Sequence, residues 1–141
     1  MQRQIIITAD GSHTVAVGGT NITYHSLHGA LQESLHVFIR SGLHYLLERK
    51  PLAEKIDILE VGFGTGLNAL LTAAEASEKK PRLQYTAIEP LPLTESEVKS
   101  LNYCDLLPSL ASLFLSMHAA KWEERTQIIS GFELLKTRQA K

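Results

Sequence analysis

Cysteine is nearly missing from this chain: Cys104 is the only one among 141 residues. An internal disulfide is thereby excluded, which fits a reducing compartment and leaves a buried thiol as the default role. An excess of charge of either sign is missing too. Fourteen Lys and Arg stand against fifteen Asp and Glu, a formal net charge of −1, so no basic field advertises nucleic acid. The local cluster Lys79, Lys80 and Arg82 reads as the solvated end of a helix. No charged start precedes a secretory apolar stretch, and no apolar run reaches membrane-spanning length. A soluble, cytoplasmic chain is expected. What is present is apolar material, 44% of residues, enough for one domain with a single core.

The most informative stretch is Ile56-Asp57-Ile58-Leu59-Glu60-Val61-Gly62-Phe63-Gly64-Thr65-Gly66-Leu67-Asn68. A short run rich in β-branched and apolar residues contains an acid near its end. Three glycines at alternate positions follow, then a helix-forming run over 67–76. The pattern predicts a strand, a tight turn and a helix, the first half of a βαβ unit. Glycine serves where the backbone takes positive φ or must approach a ligand closely. The free N–H groups of the helix start would face whatever sits in the turn. A dinucleotide-binding turn would want its third glycine at 67, which is Leu67. The spacing Glu-x-Gly-x-Gly-x-Gly instead resembles motif I of the class I S-adenosylmethionine-dependent methyltransferases. An ordinary strand-to-helix connection is the competing reading of the turn alone.

About twenty residues on, Arg82-Leu83-Gln84-Tyr85-Thr86-Ala87-Ile88-Glu89-Pro90 alternates, turns apolar and ends in an acid. A βαβ unit would put Glu89 at the carboxyl end of its second strand, beside the glycine turn. There a carboxylate can accept both ribose hydroxyls of a nucleoside. Pro90 ends the strand, having no N–H for the ladder. A solvated strand-end acid is the plainer alternative, but turn and acid together favour a nucleoside cofactor.

The N-terminus reads as β structure: Ile5-Ile6-Ile7-Thr8, a turn at Ala9-Asp10-Gly11-Ser12, His13-Thr14-Val15-Ala16-Val17, a turn at Gly18-Gly19, and a third short strand over 20–24. This predicts a small β-meander over 1–24 laid against a main domain over 25–141. Ser26 can cap a following helix in which Leu27, Ala30, Leu31, Ser34, Leu35 and Phe38 share one face, with a break at Gly42. Four of six histidines lie here: His25, His28, His36 and His44. His25 and His28 have ligand-like spacing with Glu33 near, but nothing completes a set on the same face. Helix-surface histidines are the expectation, and no metal.

Further residues carry a closer resemblance. Asp10-Gly11-Ser12, the run from Tyr24-His25-Ser26-Leu27-His28-Gly29 through Glu33 to Phe38, the glycine motif with its Phe63 and Asn68, and Ile88-Glu89-Pro90-Leu91-Pro92-Leu93-Thr94 are together similar to one family. It is the methyltransferase family acting on 5-aminomethyl-2-thiouridine at the wobble position of bacterial tRNA. The resemblance implies an α/β, Rossmann-like class I methyltransferase fold, S-adenosylmethionine as cofactor and tRNA as partner. The cofactor-binding set it implies is Glu60, Gly62, Phe63, Gly64, Thr65, Gly66, Asn68, Glu89 and Pro90, with Glu60 fixing the methionine amino group. Tyr24, Ser26 and Glu33 would add a wall, Gly29 allowing that segment close to the turn. Glu33 as a surface acid is nearly as good a reading.

Downstream, Thr94-Glu95-Ser96-Glu97 is a capping box, and 106–120 carries an apolar stripe of Leu107, Leu110, Leu113 or Phe114, and Met117. Trp122 reads as a hydrophobic anchor, 126–130 and 132–135 as a strand, and 136–141 as a solvated basic tail. The family's acidic, aromatic-rich catalytic stretch has no counterpart after Glu89, so no residue here is expected to be catalytic. The chain is expected to hold the cofactor half of a truncated fold. In that fold the strand at 56–61 would lie mid-sheet; without its outer neighbour the edge is open, and pairing into a homodimer or marginal stability is expected. A non-catalytic S-adenosylmethionine-binding or interaction module is the alternative function, and a methyltransferase with a small-molecule substrate a third.

Overall fold

The protein is described by a computed structural model over residues 2–76 and 81–139. Lys79 and Lys80 of the expected basic cluster, and Ala140 and Lys141 of the expected tail, lie outside the described residues. Strands β1 (Arg3–Ile7) and β2 (His13–Val17) form an antiparallel hairpin. A helical run follows as α1 (Ala30–Glu33), a π-helical segment (Ser34–His44) and α2 (Tyr45–Arg49). Then come β3 (Lys55–Val61), α3 (Leu67–Ala74), β4 (Arg82–Ile88), α4 (Glu95–Ser100), α5 (Tyr103–Leu106), a 3-10 turn (Pro108–Leu110), α6 (Ala111–Ala119), β5 (Arg125–Ile129) and β6 (Phe132–Thr137). The main sheet has the order β3-β4-β6-β5, with β3, β4 and β6 parallel and β5 antiparallel to β6. This is a mixed α/β fold whose parallel part is of the Rossmann-like kind.

Strand register explains where the core sits. Across β3, β4 and β6 the partners form three rows on one face: Ile56–Leu83–Phe132, Ile58–Tyr85–Leu134 and Glu60–Ala87–Lys136. All of these except the half-buried Ile58 are buried. Leu67, Leu70, Ile39, Leu43, Phe114 and Met117 from the helices join the same core. The alternate residues of β3 (Lys55, Asp57, Leu59 and Val61) face the other way and are exposed. Strand β3 is also the sheet's edge, as the sequence led us to expect.

Three expectations need correction. Residues 20–24 form no third strand, so the meander is a hairpin with one isolated bridge, Ala16 to Thr23. The chain is drawn off the sheet after that bridge, because the His25 N–H donates to Thr14 Oγ1 and Thr23 Oγ1 donates to the His25 carbonyl. Ser26 does not cap the helix; Gly29 occupies the cap position. The helix start is instead closed by the hairpin turn. Thr8 Oγ1 accepts from the Ala30 N–H, Ser12 Oγ from Leu31 and Asp10 Oδ2 from Gln32. These are the first N–H groups of a helix, which have no partner within it. Gly29 is needed there, since a Cβ would lie 2.6 Å from Asp10 Oδ2; its close approach is to that carboxylate rather than to the glycine turn. Finally, Gly42 does not break the helix. Ile39 and Leu43 on either side are buried in the core, which outweighs a glycine cost of about 1 kcal/mol.

The hairpin is tied down at its other end too. The Arg3 guanidinium donates through two nitrogens to both Glu97 oxygens, at 3.0 and 2.8 Å, and to the carbonyls of Leu91 and Pro92. Glu97 completes the Thr94 capping box of α4. Asn102 accepts from the His13 N–H and donates to the Gly11 carbonyl, and the Tyr103 hydroxyl donates to the His13 carbonyl at 2.7 Å.

Candidate functional site

The carboxyl ends of β3 and β4 lie side by side, with Val61 opposite Ile88. The glycine turn follows β3 directly, and Gly62, Gly64 and Gly66 all have positive φ, at 92°, 56° and 82°. Side-chain-bearing residues rarely adopt that region, so the alternation seen in the sequence is conformational in origin. Gly64 and Gly66 are also tight: a Cβ would lie 3.0 Å from Tyr24 Cδ2 and 2.9 Å from His118 Nε2, respectively. The Gly66 carbonyl accepts from the Leu70 N–H, starting α3.

Two acids sit beneath the turn. Glu89 accepts from the Gly64 N–H at 2.8 Å through one oxygen and from the Leu91 N–H at 3.2 Å through the other. It therefore clips the turn to the end of β4. Glu60 is 8% exposed, and its Oε2 accepts from Asn68 Nδ2 at 2.9 Å. Glu60 Oε1 and Asn68 Oδ1 are buried without a hydrogen-bond partner, a costly arrangement unless something else satisfies them. Burial pushes the Glu60 carboxyl up to about 7, the Asn68 amide and the buried Tyr85 hydroxyl opposing the rise and the nearby Glu89 charge adding to it. Two acceptors with spare capacity and a carboxyl short of compensating positive charge suit a cationic amine.

The rest of the turn is held from behind. Thr65 is fully buried; its hydroxyl lies 3.2 Å from the Tyr103 oxygen, to which it can donate, and its carbonyl accepts from His118 Nε2 at 2.8 Å. A carbonyl only accepts, so Nε2 carries a proton. Burial, with a smaller push from Lys136, holds that imidazole down at about 4. Phe63 is buried and packs edge-on against His118 and Trp122.

A cleft of about 450 Å³ opens on the far side of Gly64. Its walls are Phe63 and Gly64 from the turn, Pro92 and Leu93 after β4, Val98 and Lys99 of α4, Leu115 and His118 of α6, then Trp122 and Lys136. Small-molecule sites fall in this size range. Lys136 is 1% exposed, donates to the His118 carbonyl at 3.1 Å and lies 4.9 Å from the Trp122 ring centroid. Burial pushes its ammonium down to about 8. Arg138 stacks on Trp122 as well, at 4.6 Å. Gly64 joins the two regions, touching Glu89 on one side and the cleft on the other.

The expected site residues thus divide. Glu60, Gly62, Phe63, Gly64, Thr65, Gly66, Asn68 and Glu89 are brought together, with the exposed Pro90 beside them. Tyr24 reaches the turn through its contact at Gly64. The hydrogen bonds of Ser26 and Glu33 stay local: Glu33 Oε1 accepts from the Ser26 N–H and lies 3.2 Å from His25 Nδ1, while Ser26 Oγ accepts from the His28 N–H. Sequence reasoning missed His118, Lys99 and Lys136 as walls of the cleft, and the expected tail position of Lys136 is a buried strand position. Among the described residues, no group of three or more His, Cys, Asp or Glu is placed to hold a metal. Among the described residues no helix is long and apolar enough to cross a membrane.

No protein-family model matches the chain. Among curated proteins, the tRNA 5-methylaminomethyl-2-thiouridine biosynthesis bifunctional protein MnmC of Leptospira interrogans (strain Fiocruz L1-130) is 38% identical over 99 residues, covering 67% of this chain and 15% of that protein. The protein of the same name from Methylibium petroleiphilum is 34% identical over 122 residues, 77% of this chain and 18% of its own length. The chain therefore spans less than a fifth of these relatives. Among solved structures, the crystal structure of MNMC2 from Aquifex aeolicus superimposes with a TM-score of 0.72 at 27% identity, over 99% of this chain and 43% of that one.

Proposed function

Taking its homology to the MnmC proteins as premise, we propose that this chain binds S-adenosylmethionine and forms the cofactor-holding part of a tRNA methyltransferase. The group methylated would be the aminomethyl nitrogen of wobble 5-aminomethyl-2-thiouridine. The observation that carries the reading is Glu60: a buried carboxyl with one free oxygen, beside a partnerless Asn68 oxygen, at the strand end under a glycine turn. That acidic corner fits the amino group of the cofactor's methionine end. Glu89, on the neighbouring strand end, fits the ribose hydroxyls once its two backbone bonds are accommodated. The aromatic wall of the cleft, Phe63 and Trp122, fits a planar base.

When bound, the cofactor supplies a methyl group activated by its sulfonium. The chain's own residues bind and orient: Glu60 and Asn68 fix one end, Gly64 lets the backbone approach, and His118 holds the turn through Thr65. Catalysis of this type rests mainly on holding nucleophile and methyl donor in near-attack geometry. No described residue is assigned as the base that keeps the substrate amine neutral. The exposed Arg138, stacked on Trp122, gives the cleft one cationic edge, which fits an RNA partner. Cofactor binding without turnover is the second reading, favoured by the uncovered edge of β3 beside the acids.

Titration calorimetry with S-adenosylmethionine tests the proposal. Micromolar binding is expected, weakened at least about tenfold, 1.4 kcal/mol, in Glu60→Ala and in Glu89→Gln. Absence of heat from a chain shown folded by circular dichroism would overturn it.

A further inference from the structure

A buried lysine is costly unless its charge is met, and Lys136 of β6 is 1% exposed. Its ammonium carries three N–H donors. One goes to the His118 carbonyl at 3.1 Å, near the end of α6, where a cation suits the last carbonyls of a helix. The rings of Trp122 and Phe63, at 4.9 and 5.9 Å, face the charge without taking a conventional hydrogen bond. No carboxylate forms an ion pair with it among the described residues, and the charge that bears on it, Arg138, has the same sign. Lys99, the other lysine of the cleft, is answered by Glu95 at 3.0 Å. Lys136 therefore brings to the cleft a donor capacity that the chain itself does not use.

Its place in the sheet says what it would meet. Glu60, Ala87 and Lys136 are register partners across β3, β4 and β6, so the two charged residues stand two strand spacings apart, about 10 Å. Glu89 follows the end of β4, the strand between them. In sheet order the strand ends thus present an acid, a second acid and a cation. Resting on the S-adenosylmethionine reading above, the first meets the amine and the second the ribose, which leaves the third to the base. Gly64, whose N–H Glu89 holds, is also a wall of the cleft, so a ring leaving the ribose there enters beside Phe63 and Trp122. We propose that Lys136 is the specificity-determining residue of the cleft, donating an N–H to a ring nitrogen of the cofactor's adenine. An ammonium accepts only an acceptor edge and gains nothing from a C–H, so the base is selected by atom as well as by shape. Donation to the ligand also offsets the burial that pushes this ammonium down to about 8.

Titration calorimetry of the full chain at neutral pH compares S-adenosylmethionine with its 1-deaza, 3-deaza and 7-deaza analogues, each with one ring nitrogen replaced by C–H. One analogue should bind at least about tenfold more weakly than S-adenosylmethionine, and it identifies the nitrogen that Lys136 meets. In Lys136→Met, which keeps the apolar stem, S-adenosylmethionine itself should weaken by a similar factor and the discrimination among the four ligands should vanish. A lysine that only props the end of α6 would change every affinity together and leave the ranking intact. Lys121→Met, at an exposed lysine outside the cleft, should keep both the affinities and the ranking. Should Lys136→Met not fold, the nitrogen resonance of the Lys136 ammonium in the unsubstituted chain decides: it should shift with S-adenosylmethionine and not with the discriminating analogue. Equal affinity for all four ligands, a ranking that survives in Lys136→Met, or an ammonium resonance indifferent to the ligand would overturn the proposal and leave the cofactor reading standing. A folded chain that binds none of the four overturns both.

Discussion

Replacing Glu60 by Gln should make the chain more stable at neutral pH and no different in acid. The carboxyl sits at about 7 in the folded protein, against an ordinary value of 4.5. Between those two values the folded state holds a proton that the unfolded state has lost. Stability then falls as pH rises. At ~1.4 kcal/mol per pH unit, the fall amounts to about 3 kcal/mol by pH 7. His118 acts with the opposite sign. Its imidazole is held at about 4 against an ordinary 6.5, so the unfolded state binds the extra proton and stability rises with pH across that window. The rise is also about 3 kcal/mol. In the unsubstituted chain the two slopes nearly cancel between pH 4.5 and 6.5, and a flat profile would conceal both. Glu60→Gln leaves the His118 rise uncompensated. Urea unfolding of both proteins at half-unit steps from pH 4 to 7.5 gives the difference curve, in which every other titrating group drops out. The variant should match the parent near pH 4.5 and exceed it by about 3 kcal/mol near pH 7.5. A difference that does not change with pH, or one that favours the parent as pH rises, would refute the raised Glu60 carboxyl and the account of it as a buried, under-compensated acid.

Other consequences can be checked alongside. Binding of S-adenosylmethionine near pH 6 should release a proton from Glu60, so calorimetric heats should differ between buffers of different ionisation enthalpy; equal heats would mean that Glu60 does not meet the cation. Gly64→Ala places a Cβ 3.0 Å from the Tyr24 ring at a φ of 56° and should cost about 1–3 kcal/mol of stability, with a changed near-ultraviolet dichroism from Tyr24. Asp10→Ala removes the acceptor for the Gln32 N–H and should cost about 1–2 kcal/mol in thermal or urea unfolding, Asp10→Asn recovering part of it. Tyr103→Phe removes the hydroxyl that bonds the His13 carbonyl and should cost about 1 kcal/mol; a neutral result would show that water replaces it.

Much of the site was legible because its signals are local. The three glycines announce positive φ by their identity, and Glu89 announces itself by ending an alternating strand. The capping box at Thr94 and Glu97 is likewise a four-residue pattern. What escaped was long-range. Asp10 and Ser12 were read as turn residues, and nothing in their neighbourhood says that they close a helix some twenty residues on. Lys136 looked like the start of a charged tail, yet the placement of β6 beside β4 puts it in one row with Glu60. His118 sits in an apolar helical run, and only the fold brings it to the back of the turn. Gly42 was misread as a stop because propensity was weighed without the burial of Ile39 and Leu43.

The way the hairpin closes the helix also bears on vectorial synthesis. As the chain leaves the ribosome, residues 3–17 emerge before the helix whose first N–H groups they receive. A template for that helix's first turn is therefore in place before the helix is made, and nucleation, the slow step of helix formation, can be relieved in advance of any parallel strand pairing. The same order makes the start of the chain sensitive. A substitution at Thr8, Asp10 or Ser12 would remove an acceptor for the helix start before the glycine turn had been translated.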